Sequence, residues 1–248
     1  MRSFLLALLV CLSVQIVKAQ EKPQAYIGAK VIPISGSEID DGVVVVHRGK
    51  IVAVGAAAST KIPADAERHN VKGKVIMPGL VDTHSHIGAG TGGDSSGPIQ
   101  SEIRLLDSIN VRDSSIQRAQ AGGITTVNSM PGSGWLIGGQ TIYFKLRDGS
   151  TIEDLAIRDA EGKILGGLKM ANGTNSQRNP PFPETRSKSA SIVRDAYTKA
   201  QEYRAKLSRA GSDPDKAPAR DLGLEVLAEV LEGKRTVHHH THRHDDIV

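Results

Sequence analysis

Cysteine is almost absent. The only one, Cys11, sits in the apolar stretch at the start of the chain, so the sequence beyond it holds no disulfide and no thiol nucleophile. Aromatic residues are 3% of the chain, too few for a base-stacking platform, and this argues against nucleic acid as a partner. Charge of one sign is also scarce. The formal net charge is +4, and removing Arg2 and Lys18, which lie in the N-terminal segment, leaves +2. Long hydrophobic runs are limited to Phe4–Val14, shorter than the roughly 20 apolar residues of a membrane span. With 39% hydrophobic and 23% charged residues, the composition is that of a globular protein.

The N-terminal stretch reads as a secretory leader. Arg2 gives it a positive start, the apolar run has signal-peptide length, and Val17-Lys18-Ala19 offers a cleavage site after Ala19. A leader at residues 1–19 predicts export to a bacterial periplasm or secretion, with no stable membrane insertion after cleavage. Export without disulfides is compatible with either destination.

Residues 20–75 predict a small β module. Ala25–Ile34, Val43–His47 and Ile51–Gly55 are β-rich runs separated by Gly and Asp turns, the pattern of an antiparallel meander. His47 and His69 fall on or near it and read as surface histidines. Residues 76–248 then alternate between strand and helix signals. Val75–Leu80 leads into Val81-Asp82-Thr83-His84-Ser85-His86, an apolar strand ending in two histidines. Residues i and i+2 of a strand share a face, so His84 and His86 project side by side, as two imidazoles sharing one metal ion would. Ile87–Gly97 is rich in Gly and Ser and reads as a mobile loop beside the pocket. Residues 105–121 predict a helix in their second half, stopped by Gly122-Gly123. Ile124–Met130 predicts a strand, and Gly138–Leu146 another. Ser176–Ser187, with Pro180, Pro181 and Pro183, is a loop. Helical spacing returns over Ile192–Leu207 and from about Asp221 to Leu231.

Two further stretches carry chemistry. Lys169 ends a short apolar run before a turn-rich segment, and a lysine aimed into a protein interior needs a reason. At the far end, five of the nine histidines fall within residues 238–244, and as a strand His238, His240, His242 and His244 share one face.

Several phrases resemble the amidohydrolase superfamily, in particular its imidazolonepropionase-like branch. They are Pro-Gly-Leu-Val-Asp-Thr-His-Ser-His at 78–86, Gly-Lys-Ile-Val-Ala-Val-Gly at 49–55, Ala-Gly-Gly-Ile-Thr-Thr-Val at 121–127, and Val237–Ile247 with its histidines followed by Asp-Asp-Ile. The resemblance implies an α/β fold, a (β/α)8 TIM-type metal-dependent hydrolase barrel preceded by a small β-sandwich. It implies His84 and His86 as metal ligands on barrel strand one and Lys169 on strand four. There, the lysine is either carboxylated and bridging two metals, in contact with a substrate anion, or a surface residue. On strand five it implies His240 as ligand, with His242 as the alternative ligand or a substrate-binding residue. The cofactor implied is one or two divalent ions, zinc first, with manganese, iron or cobalt suiting the same donors. The partner is a small-molecule substrate; oligomeric state is not readable.

The activity implied is hydrolysis by metal-activated water of carbon–nitrogen bonds other than ordinary peptide bonds, in amides, cyclic amides or small acyl-amino acids and dipeptides. The family's strand-six histidine and strand-eight aspartate base have no counterpart before Val248, so the barrel is expected to be incomplete, with strands one to five only, and no catalytic base is identifiable. The alternative reading is a non-catalytic pseudoenzyme or metal-binding module.

Overall fold

A computed structural model describes residues 22–88 and 94–247. The leader-like segment and Cys11 lie outside these residues, as does part of the glycine-rich loop. The chain divides into two compact units, one ending at Pro78 and the other starting at Gly79.

The first unit is one five-stranded sheet. β1 (Gln24–Val31), β2 (Ile39–His47) and β3 (Lys50–Ala56) form the antiparallel meander that the Gly and Asp turns predict. β4 (Glu67–Asn70) and β5 (Val75–Ile76) add to β1 in parallel, which the sequence pattern did not suggest. Ala25, Val43 and Val45 are fully buried and form its core. At Gly42 a Cβ would collide with the Val31 side chain, so a glycine is required where β2 passes the irregular stretch of β1. His69 reads here as a structural residue: its Nε2 lies 2.6 Å from Gln24 Oε1, and its ring stacks on Tyr26 at 5.0 Å.

The second unit is α/β, with two three-stranded mixed sheets. In one, β6 (Leu80–Ser85) runs parallel to β7 (Ile124–Ser129), and β9 (Ile142–Lys145) pairs antiparallel with β7. In the other, β10 (Leu168–Ala171) runs parallel to β11 (Val237–His240), and β8 (Ile137–Gln140) pairs antiparallel with β10. The single strand expected over 138–146 is therefore two strands that break at Thr141 and serve different sheets. Thr141 marks the break chemically: its Oγ1 accepts the Gly167 amide at 2.8 Å, and its own amide donates to the Gly167 carbonyl at 2.9 Å.

The helices cover one face of each sheet. α1 (Ser114–Ala121) is capped by Asp113, whose side chain accepts from the Ser115 amide at 2.8 Å. The short α2 (Ile152–Leu155) starts with a Thr151/Asp154 capping box. Ile116 and Leu155 pack with Val127, Ile142 and Phe144. α3 (Arg186–Ala210) is capped by Thr185 and α4 (Leu222–Leu231) by Asp221. Ala196, Ala200, Val226 and Leu227 pack on Ile137, Leu168 and Met170. Among the described residues no helix is long and apolar enough to cross a membrane.

This packing decides where the polar residues go. A strand alternates faces. With Val127, Phe144, Leu168 and Met170 committed to the helices, Asn128, Tyr143 and Lys169 must face the other way. The parallel register of β10 and β11 pairs Lys169 with His238 and Ala171 with His240, placing both histidines on that same face.

Candidate metal centre

The inward face gathers the chemistry predicted from sequence. Thr83, His84, Met130, Lys169, Val237, His238, His239 and His240 line one cavity of about 320 Å3 bordered by β6, β10 and β11. Lys169 is buried at 1% exposure, and its Nζ lies 3.2 Å from His84 Nε2. It has no carboxylate partner among the described residues. A buried, unpaired ammonium is costly, and burial pulls the Lys169 pKa down to about 8.

His84 and His86 stand edge to face, with ring centroids 5.2 Å apart. His86 does not line the cavity, but its orientation is fixed. Its Nδ1 donates to the Met130 carbonyl at 2.8 Å, because a carbonyl can only accept, so in the neutral ring the lone pair is on Nε2. Such an outer hydrogen bond is how metal-binding imidazoles are commonly held. Burial, followed by the Lys169 charge, lowers the His84 pKa, and the same causes in the same order lower His240. Both are therefore held neutral, the state a metal ligand requires.

His240 and His242 form a second pair, Nε2 to Nε2 at 2.8 Å, and Asn175 Nδ2 lies 3.2 Å from the same His240 nitrogen. His242 itself is exposed. The structure thus brings His84, Lys169 and His240 to one cavity, sets His86 beside His84, and leaves His242 outside, on the rim and in contact with His240. Among the described residues, no three His, Cys, Asp or Glu side chains are gathered closely enough to hold a metal ion by themselves. The imidazoles come as two pairs, with the Lys169 amine between the strands that carry them. The imidazole nitrogens are donors that a divalent ion accepts, and the Lys169 amine beside them lacks a counter-charge.

His238 is the residue that the sequence reading did not single out. Its Nε2 meets Tyr143 OH at 3.0 Å and Asn128 Nδ2 at 3.1 Å on the inward face. Asn128 also donates to the Thr83 carbonyl at 3.2 Å, so this group braces the strand that carries His84. Burial raises the Tyr143 pKa and keeps its hydroxyl protonated as a donor. A histidine in register with Lys169 was the available signal, but it appears only once β10 and β11 are paired.

Comparisons with known proteins bear on the family and the fold. No family model matches the chain. An amidohydrolase, tasK, of Hapsidospora irregularis is 28% identical over 236 residues, 83% of this chain and 24% of that protein. An imidazolonepropionase of Rhizobium rhizogenes is 37% identical over 107 residues, 42% of this chain and 25% of that protein. The crystal structure of an amidohydrolase from Thermotoga maritima MSB8 superposes with a TM-score of 0.79 at 33% identity, covering 90% of this chain and 59% of that one. The chain therefore spans about a quarter of the length of these curated relatives. The mixed sheets of the second unit are part of a TIM-type barrel, and the first unit is the β module that accompanies it. Shared sequence along most of the chain, the shared fold and the histidine–lysine cavity together make this chain a member of the amidohydrolase superfamily.

Proposed function

We propose that this chain carries the metal-dependent site of a hydrolase acting on carbon–nitrogen bonds other than ordinary peptide bonds. The substrates proposed are small amides, cyclic amides, and acyl-amino acids or dipeptides. The observation that carries the reading is the buried Lys169 amine, 3.2 Å from His84 Nε2 and without a carboxylate, in a cavity also lined by His240.

In this reading His84, His86, Lys169 and His240 hold one or two divalent ions, with zinc the first choice. When bound, such an ion supplies a Lewis acid that acidifies water and polarises a carbonyl. The chain's own residues prepare the set. The Met130 carbonyl holds the His86 proton on Nδ1, so Nε2 stays available. Burial keeps His84 and His240 unprotonated. Near pH 8 about half of Lys169 is the free amine, which can attack carbon dioxide, form a nitrogen–carbon bond and release one proton. The resulting carbamate would give this cationic corner its missing negative charge. His242, exposed beside His240, would meet the substrate in this reading. The leader-like residues 1–19 support an exported protein.

The test is hydrolysis of a panel of N-acyl-amino acids and cyclic amides by zinc-loaded protein, comparing wild type with His84→Ala. The reading predicts a fall in kcat/KM of at least about 100-fold, since loss of a ligand or of its support typically costs this much. A folded His84→Ala variant with the wild-type rate would defeat it.

A further inference from the structure

Two loops leave the strand ends around the cavity, and one side chain joins them. The Arg178 guanidinium lies 3.7 Å from the Phe182 ring centroid and 5.2 Å from that of Trp135. Both rings are buried, at 7% and 9% exposure. Arg178 Nη2 donates to the Gly134 carbonyl at 2.5 Å, and its backbone amide donates to the Pro183 carbonyl at 3.1 Å. Trp135 is fixed in turn, its Nε1 donating to the Asp94 carbonyl at 2.6 Å.

Among the described residues no carboxylate lies within ion-pair distance of Arg178, and its Nε and Nη1 have no acceptor. Arg104, Arg158, Arg186 and Arg235, by contrast, each pair with an Asp or Glu. Arg178 also stands at the end of the sheets where the histidines are. Asn175, three residues earlier, reaches His240 at 3.2 Å, and Gly134 belongs to the loop that begins at the cavity-lining Met130. Three residues of chain span at most about 11 Å, the length of a small extended molecule.

We propose that Arg178 is the specificity residue for a substrate carboxylate, so that the amides taken by this site are acylated amino acids, with the acyl nitrogen toward the histidine–lysine cavity and the free carboxylate on Arg178. A guanidinium lying over two ring faces and bonded to the Gly134 carbonyl is restrained and offers its edge, the geometry that pairs two N–H groups with two carboxylate oxygens. The rings also cover part of its surface, and an ion pair made at the edge beside that apolar cover is stronger than one in open water. A site built to pair a charge discriminates strongly against a neutral analogue of the same shape. The identity of the carboxylate as a substrate's rests on the hydrolase reading above; its capture by Arg178 does not.

Trp135 is the only tryptophan in the sequence, so its fluorescence reports on Arg178 without any turnover. The experiment titrates N-acetyl derivatives of alanine, leucine, histidine and glutamate, and their C-terminal amides, into wild type, Arg178→Gln and Arg178→Lys. Melting curves verify that each variant is folded. At least one acid should change wild-type emission saturably and bind about tenfold or more tighter than its amide, and Arg178→Gln should remove that preference. If Arg178→Gln does not fold, Arg178→Lys should shrink the preference. Equal binding of acids and amides by wild type, no response to any acid, or an unchanged preference in the folded variants would overturn the proposal. Zinc titration of the same samples separates the two readings: selective acid binding with no zinc bound sinks the hydrolase reading alone, and zinc bound through His84 without acid preference sinks this one alone.

Discussion

The two units handle burial differently. The core of the first is small and apolar, built on Ala25, Val43 and Val45. All of the buried polar and charged residues among those described lie in the second unit, including Thr126, Asn128 and Lys169. The first unit has histidines as well, but His69 is spent on a hydrogen bond to Gln24 and a stack on Tyr26. In the second, histidines and a lysine converge on an open cavity, and the lysine there has no counter-charge. The contrast teaches that possession of histidines does not mark the site. What marks it is the readiness of one unit to bury polar groups that cost stability, a cost characteristic of functional positions.

Two substitutions sharpen this comparison. The largest effect is expected from Lys169→Met, which keeps the length and removes the buried charge. Below pH 8 the lysine is protonated in both folded and unfolded chains, and its full burial cost is present. Between about pH 8 and 10.5 the unfolded chain binds more protons than the folded one, so wild-type stability should rise with pH over that window. In metal-free protein at pH 7, Lys169→Met should therefore be more stable than wild type by about 3 kcal/mol, and the rise between pH 8 and 10.5 should disappear. Denaturant titrations at pH 7 and pH 10 measure both; a destabilised variant would show that Lys169 is a structural residue. A smaller effect of opposite sign is expected in the first unit. Val45→Ala removes two buried methyl groups from an apolar core and should cost about 2 kcal/mol at either pH. A cost below about 0.5 kcal/mol would mean that the Val45 site is loosely packed.

What could be read from sequence was what depends on near neighbours along the chain. The His84–His86 pair follows from strand periodicity, and α4 follows from Leu222, Val226 and Leu227 at helical spacing after the cap at Asp221. The meander of β1–β3 follows from its Gly and Asp turns. What could not be read depends on pairing across the chain. Gln140-Thr141-Ile142 has unbroken β character, and only the bonds between Thr141 and Gly167 reveal that the strand divides there. At Gly166 a Cβ would collide with the Thr141 carbonyl, so close packing across the chain requires a glycine there. His238 was lost among five histidines because its distinction is its register with Lys169. Arg178 was lost in a proline-rich loop because its aromatic partners lie 43 residues before it and four after.

Under the proposed function, the histidine–lysine cavity, rather than the histidine-rich stretch 238–244 alone, binds a divalent ion. The direct measurement is calorimetric titration of Zn2+ into the metal-free chain, comparing wild type with His84→Ala, which lies far from that stretch in sequence but reaches the same cavity. The account predicts one or two ions bound by wild type and a loss of affinity of at least about tenfold, or of one ion, in the folded variant. Equal stoichiometry and affinity in both would place the metal on the terminal histidines and contradict the account.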